Sequence, residues 1–202
     1  MKKKTKENED ARRAPAGAGK YAARATAIGA AVALLSACAS SAPLRYYTLS
    51  EVPAAADTAS AATPIRVGRV RIPGELDRSE LVQRIDSTRV NISEQDRWAA
   101  PLDDMIRRVL TADLQARASA GSSSAASTLS LDIQEFIGDA TCSVTLRATW
   151  DLKPADANAK AASGHELIRT TASPDSCGVS ALPMAMSQAL AQLSDRVVAA
   201  AR

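Results

Sequence analysis

One histidine, three cysteines and six aromatic residues are all that 202 residues hold of the side chains that most often do chemistry or fill large cores. The histidine, His165, follows Ser163 and Gly164 in a polar stretch. A catalytic base needs an oriented nucleophile and a third group to hold it. No G-x-S-x-G offers the nucleophile, so His165 is expected to be an exposed loop residue. A zinc site lacks ligands, since the chain has no C-x-x-C and a single imidazole. There is no G-x-x-x-x-G-K-[ST], which excludes nucleotide binding through a P-loop. Asp103 and Asp104 are sequence neighbours and point to different helix faces, so they read as dipole charges rather than a carboxylate dyad. No catalytic residue and no cofactor are expected. The aromatics are Tyr21, Tyr46, Tyr47, Trp98, Phe136 and Trp150. A core must therefore rest on Leu, Val, Ile and Ala, enough for one modest two-layer domain.

The chain also lacks a basic folded part, although its formal charge is +3. Eight of the 25 Lys and Arg and three of the 22 acids precede Cys38, which leaves 17 basic against 19 acidic residues from Cys38 onward. The interleaved charges of that part speak against a nucleic-acid binder, which needs a basic patch on its folded domain.

A long apolar run is missing as well. Ala25 to Leu35 gives eleven uncharged residues, short of the roughly 20 that span a bilayer. The length fits the apolar region of a secretory signal, with a basic segment before it and small residues after it. Arg12-Arg13 invites a twin-arginine reading that the following Ala-Pro-Ala does not support. The cleavage region, Leu35-Ser36-Ala37-Cys38, looks like a bacterial lipobox. Small side chains fit an extended backbone into a membrane peptidase, and the Cys38 thiol takes a diacylglycerol. Two or three acyl chains, palmitate among them, make attachment effectively permanent where one would not. Two alternatives remain: an ordinary signal peptide with a coincidental cysteine, and an uncleaved anchor. Ala39 rather than Asp after the cysteine favours the outer membrane, by resemblance to bacterial sorting rules. The division is thus a signal peptide over 1–37 and a single domain over 38–202.

Within that domain, Leu44–Leu49 is strand-like and Pro53–Thr63 reads as a surface loop. Ile65–Pro73 alternates, with a phase slip at Gly68-Arg69 that predicts a bulge. Leu81–Ile85 and Thr88–Ile92 suggest a hairpin turning near Asp86-Ser87. Pro101–Ala118 carries an apolar stripe of Leu102, Ile106, Val109, Leu110 and Leu114, with Pro101 in the first turn of a helix. A flexible stretch, SAGSSSAAS, follows. Leu129–Ile133 and the run Val144, Leu146, Ala148, Trp150, Leu152 alternate cleanly and flank IGDATC, so they are expected to pair antiparallel. Pro154–Gly164 reads as a loop, Glu166–Ala172 as a third strand, and Ser180–Ala200 as a helix with Leu182, Met186, Leu190, Leu193 and Val197 on one face. Trp98 reads as a cap on the core or part of a partner surface. The fold class expected is α+β: a two-layer sandwich with a mixed or antiparallel sheet and two amphipathic helices on one face.

Setting aside Cys38, the remaining thiols are Cys142 and Cys177. In an oxidising compartment an even pair is a disulfide candidate, against the alternative of two buried free thiols.

These residues together resemble a family, the ABC-type transport auxiliary lipoproteins of the PqiC kind. The resemblance is carried by the lipobox followed by Tyr46-Tyr47-Thr48-Leu49, by a strand ending in Ile72-Pro73, by LDRSELVQR (Leu76–Arg84), and by DRWAAPLDDMIRRVLTADL (Asp96–Leu114). The family usually has Pro where this chain has Ser79. The resemblance implies a non-enzymatic lipoprotein on the periplasmic side of the outer membrane. Its implied partner is an MCE-domain tunnel protein with its transporter subunits, in lipid transport that supports envelope integrity. It further implies an adaptor or cap, with a homo-oligomer among the arrangements. The competing expectations are a lipoprotein scaffold of a secretion or pilus machine and, weakest, a tethered hydrolase.

Overall fold

The two cleanest alternating runs become the spine of the sheet. The computed structural model describes residues 42–53, 64–117, 126–172 and 177–201. The proposed lipobox and Cys38, nearly all of the Pro53–Thr63 loop and most of SAGSSSAAS lie outside the described residues. The strands are β1 (Arg45–Tyr47), β2 (Ile65–Arg71), β3 (Glu80–Arg84), β4 (Val90–Trp98), β5 (Ser127–Asp139), β6 (Ser143–Lys153) and β7 (Ala162–Thr171). The helices are α1 (Leu102–Ala116) and α2 (Leu182–Ala200), the latter led in by a 3-10 turn at Val179–Ala181.

These seven strands form one mixed sheet in the order β1-β4-β3-β5-β6-β7, with β2 also paired to β5. β5, β6 and β7 form an antiparallel meander. β2 and β3 both run parallel to β5, and β1 runs parallel to β4. The register between β2 and β5 slips between Val67 and Val70, where the phase of the sequence slips. Leu129, Leu131, Ile133 and Phe136 of β5 and Val144, Leu146, Ala148 and Trp150 of β6 point into one core. α1 packs chiefly over β2, α2 over β6 and β7, and the helices touch each other. The chain is thus the expected α+β sandwich. All five stripe residues of α1 and all five of α2 are buried.

Several elements differ from the reading of their local sequence. β1 keeps only three residues of the strand-like Leu44–Leu49 stretch. Pro101 is the residue before α1 rather than a member of its first turn; its φ of −51° and ψ of 135° are extended, and its carbonyl accepts the Met105 N–H at 3.1 Å. β4 runs on past the extended Thr88–Ile92 stretch through the charged Glu94–Arg97, where Asp96 and Arg97 form ladder pairs and ion pairs. β5 absorbs Ser127 at one end and Ile137–Asp139 at the other. β7 begins at Ala162, inside the Pro154–Gly164 loop, so His165 is exposed but sits on a strand opposite Thr149. Gly164 explains that extension. It lies opposite Trp150, and a Cβ there would meet the indole at 2.6 Å.

A charged cluster ties the two helices together. Arg117, just past α1, is 2 % exposed at its side chain. Its Nε donates to Asp195 of α2 at 2.6 Å and its Nη1 donates to the Asp113 carbonyl at 2.9 Å. Asp113 is buried on α1 and accepts the Val52 N–H at 3.2 Å, which pins the segment after β1. Burial pushes the Asp113 carboxyl above its usual range, and its Oδ2 has no hydrogen-bond partner among the described residues. Removing one member of such a cluster leaves a buried charge uncompensated. Arg117→Ala is expected to cost about 3–5 kcal/mol in urea unfolding; a loss below about 1 kcal/mol, the usual value of a surface pair, contradicts this role.

Candidate functional surface

The helices cover one face of the sheet and leave the other open, and β5 shapes what that open face offers. β2 holds the edge of β5 from Ser127 to Asp132, whereas β3 meets the same strand only at Gly138 and Asp139. Between them the edge of β5 is unpaired. The β5–β6 register also shifts there, between Ile133 and Glu135. The result is a recess of about 200 Å³. Val82, Val90, Phe136 and Ile137 give it apolar walls, Leu76 comes from the β2–β3 connection, and Arg78 and Arg84 stand at it with Glu75 and Glu135. Glu135 accepts from Arg84 and pairs with Arg147 at 3.4 Å. The segment Leu76–Arg84, which carries much of the family resemblance, therefore builds this recess.

Register places the rest of the open face. Arg66, Thr128 and Lys153 stand side by side across β2, β5 and β6. Arg71 sits beside Asp132 and pairs with it at 2.6 Å. Arg147 is flanked by Glu135 and Leu167, and Thr145 by Ile137 and Arg169. Asp151 lies between Ser130 and Ser163. Nearer β1, Glu80 faces Arg97, Arg84 lies between Val90 and Asp139, and Val82 faces Ile92. By register the face therefore holds seven cations and five carboxylates, although acids outnumber bases in the chain from Cys38 onward.

β1 closes the far edge through one ion pair. Arg45 Nε and Nη2 donate to Asp96 Oδ1 and Oδ2 at 2.7 and 3.0 Å, while Ser93 Oγ donates to Oδ2 at 2.7 Å. The Arg45 guanidinium holds the Asp96 carboxyl below its usual range, and the Ser93 hydroxyl adds to this. Tyr47 and Trp98 are neighbours in that ladder on the core side; Trp98 is buried, so it caps the core.

Nothing among the described residues gathers three or more His, Cys, Asp or Glu side chains into a metal-binding group. His165 has Thr149 as its ladder neighbour and belongs to no such cluster. No described helix is long and apolar enough to cross a membrane.

A family model, described as the ABC-type transport auxiliary lipoprotein component, matches residues 47–198. The chain belongs to that family. It is a family of transport components rather than of enzymes. No curated protein sequence matches the chain. Among solved structures, an uncharacterized protein has a TM-score of 0.60 at 19% identity, covering 78% of this chain and 98% of its own. A protein from Xanthomonas campestris has a TM-score of 0.57 at 17% identity, covering 78% and 93%. At these identities the two share the fold with this family member.

At the end of β5 and β6, Cys142 has a φ of 60°, a left-handed conformation in the tight Asp139–Ser143 turn. The structure joins its sulfur to that of Cys177, with Cα atoms 5.6 Å apart and a sequence separation of 35. Such a bridge would tie the β5–β6 turn to the start of α2. The oxidised protein is expected to show no titratable thiol at these two positions after unfolding without reductant. Replacing both by Ser is expected to cost about 3–4 kcal/mol in the chain-entropy account. Two titratable thiols would contradict the bridge.

Proposed function

We propose that this chain is a lipid-anchored, non-enzymatic adaptor of an MCE-type intermembrane lipid transport system. In this reading the signal peptide is cut between Ala37 and Cys38. Cys38 carries the acyl chains, and the domain hangs on the periplasmic side of the outer membrane's inner leaflet. The family match over residues 47–198 carries the proposal, because it makes the fold a transport auxiliary lipoprotein and begins shortly after the lipobox-like sequence. The open sheet face supports it. A surface with a shallow recess, exposed apolar residues and mixed charge suits docking better than turnover. The energy source would lie in other subunits, in keeping with the missing P-loop sequence.

The proposal has two separable tests. Cys38→Ala is expected to leave an unprocessed or unattached chain that no longer fractionates with outer membranes. Crosslinking and pull-down of the wild-type chain from envelope extracts is expected to recover an MCE-domain protein. Repeated recovery of secretin or pilus components alone would overturn the assignment to lipid transport while leaving the anchor standing.

A further inference from the structure

The large exposed apolar side chains are not scattered. Of the seven among the described residues, Leu44, Tyr46, Ile85, Val90 and Ile92 all belong to β1, β4 or the segments directly flanking them. Tyr46 is 63% exposed, Val90 50% and Ile92 43%. Register puts these three on the open face, beside Arg97, Arg84 and Val82 respectively. They form one apolar corner on a face that also holds the excess of cations.

We propose that this corner rests on a bilayer surface carrying anionic headgroups. The inference deepens the reading above and rests on lipidation of Cys38. Its geometric basis is where the chain enters the domain. β1 runs parallel to β4 and pairs with it only from Asp96 to Trp98, so the chain entering β1 arrives from the Val90 end of β4. Leu44 lies six positions after Cys38, and six steps of about 3.3–3.6 Å reach roughly 20 Å. The β3–β4 ladder sets Glu80 opposite Arg97 and Arg84 opposite Val90, so Val90 lies only roughly 13 Å along the sheet from the Arg97 level of β1. A lipidated Cys38 therefore holds the Val90 corner within one short tether of the membrane. The chemistry of the corner matches that surface. Tyr46 has an amphipathic ring suited to the headgroup layer. Val90 and Ile92 supply apolar contact, while the face's cations are attracted to anionic lipid within a Debye length. An acidic protein would meet the same charges, but the tether brings the corner to a membrane first. This orientation turns the helices toward the periplasm, where a partner would approach.

The test uses the mature lipidated chain in vesicles doped with nitroxide lipids. A fluorophore is placed by Ile92→Cys on the open face or by Met184→Cys on α2, both exposed positions. In vesicles containing phosphatidylglycerol the probe at 92 is expected to be quenched about twofold, and at about 0.5 M salt much of the signal returns. The probe at 184 is expected to change little. Unquenched or equally quenched probes on a chain that floats with the vesicles overturn the orientation while leaving the anchor intact. A chain that does not float overturns the lipidation reading and the inference together. A probe at 92 that only an added MCE-domain protein shields makes this corner a protein interface instead.

Discussion

The structure depends on how the edge of β5 is shared. This strand runs from Ser127 to Asp139 and is paired along most of one side by β6. Its other side is divided between β2 at the start and β3 at the end. Both of those pairings are parallel, so β2 and β3 cannot be joined by a tight hairpin. The Ile72–Ser79 connection crosses between them and leaves five residues of β5 unpaired. A polar backbone edge inside a protein needs partners or water. The recess beside Glu135 and the bulge at Gln134 are how this fold accommodates that gap.

A second consequence is asymmetry. Two helices with one apolar stripe each can cover one face of a sheet, and here they cover the face bearing Phe136, Leu146 and Ile168. The opposite face stays polar along β6, where Thr145, Arg147, Thr149 and Asp151 alternate with the core residues. Its exposed apolar residues gather toward the β3–β4 hairpin, with Leu167 of β7 apart from them. The fold divides its surfaces: a mixed-charge face with one apolar corner, and a helical side tied together through Arg117, Asp113 and Asp195.

What could be read beforehand was what depends on periodicity. The stripes of α1 and α2, the β5–β6 pair and the slip at Gly68-Arg69 follow from spacing within one segment. Other features depend on a partner elsewhere in the chain. Ala162-Ser163-Gly164 has little strand propensity, and only Trp150 across the ladder gives Gly164 a reason to be there. The continuation of β4 through Glu94–Arg97 has no local signal, because the groups that compensate Asp96 and Arg97, Arg45 and Glu80, are 51 and 17 residues away. Of the surface, only the Leu76–Arg84 block stood out beforehand, through the family resemblance it carries. The recess did not, because it arises from the absence of pairing between β2 and β3, which no local pattern encodes. The apolar corner was hidden for a similar reason, since Tyr46 and Ile92 come onto the same face only through β4.

Amide hydrogen exchange across the mature lipidated chain, in detergent and then in anionic vesicles, tests the account most directly. The account predicts that the paired amides of β5 and β6 are the slowest in both. It also predicts that those amides of Val90–Gln95 that point away from β3, on the side no described strand covers, exchange fast in detergent and slow down on vesicles. Fast exchange in β5, or a β4 edge already protected in detergent and unchanged on vesicles, would contradict it.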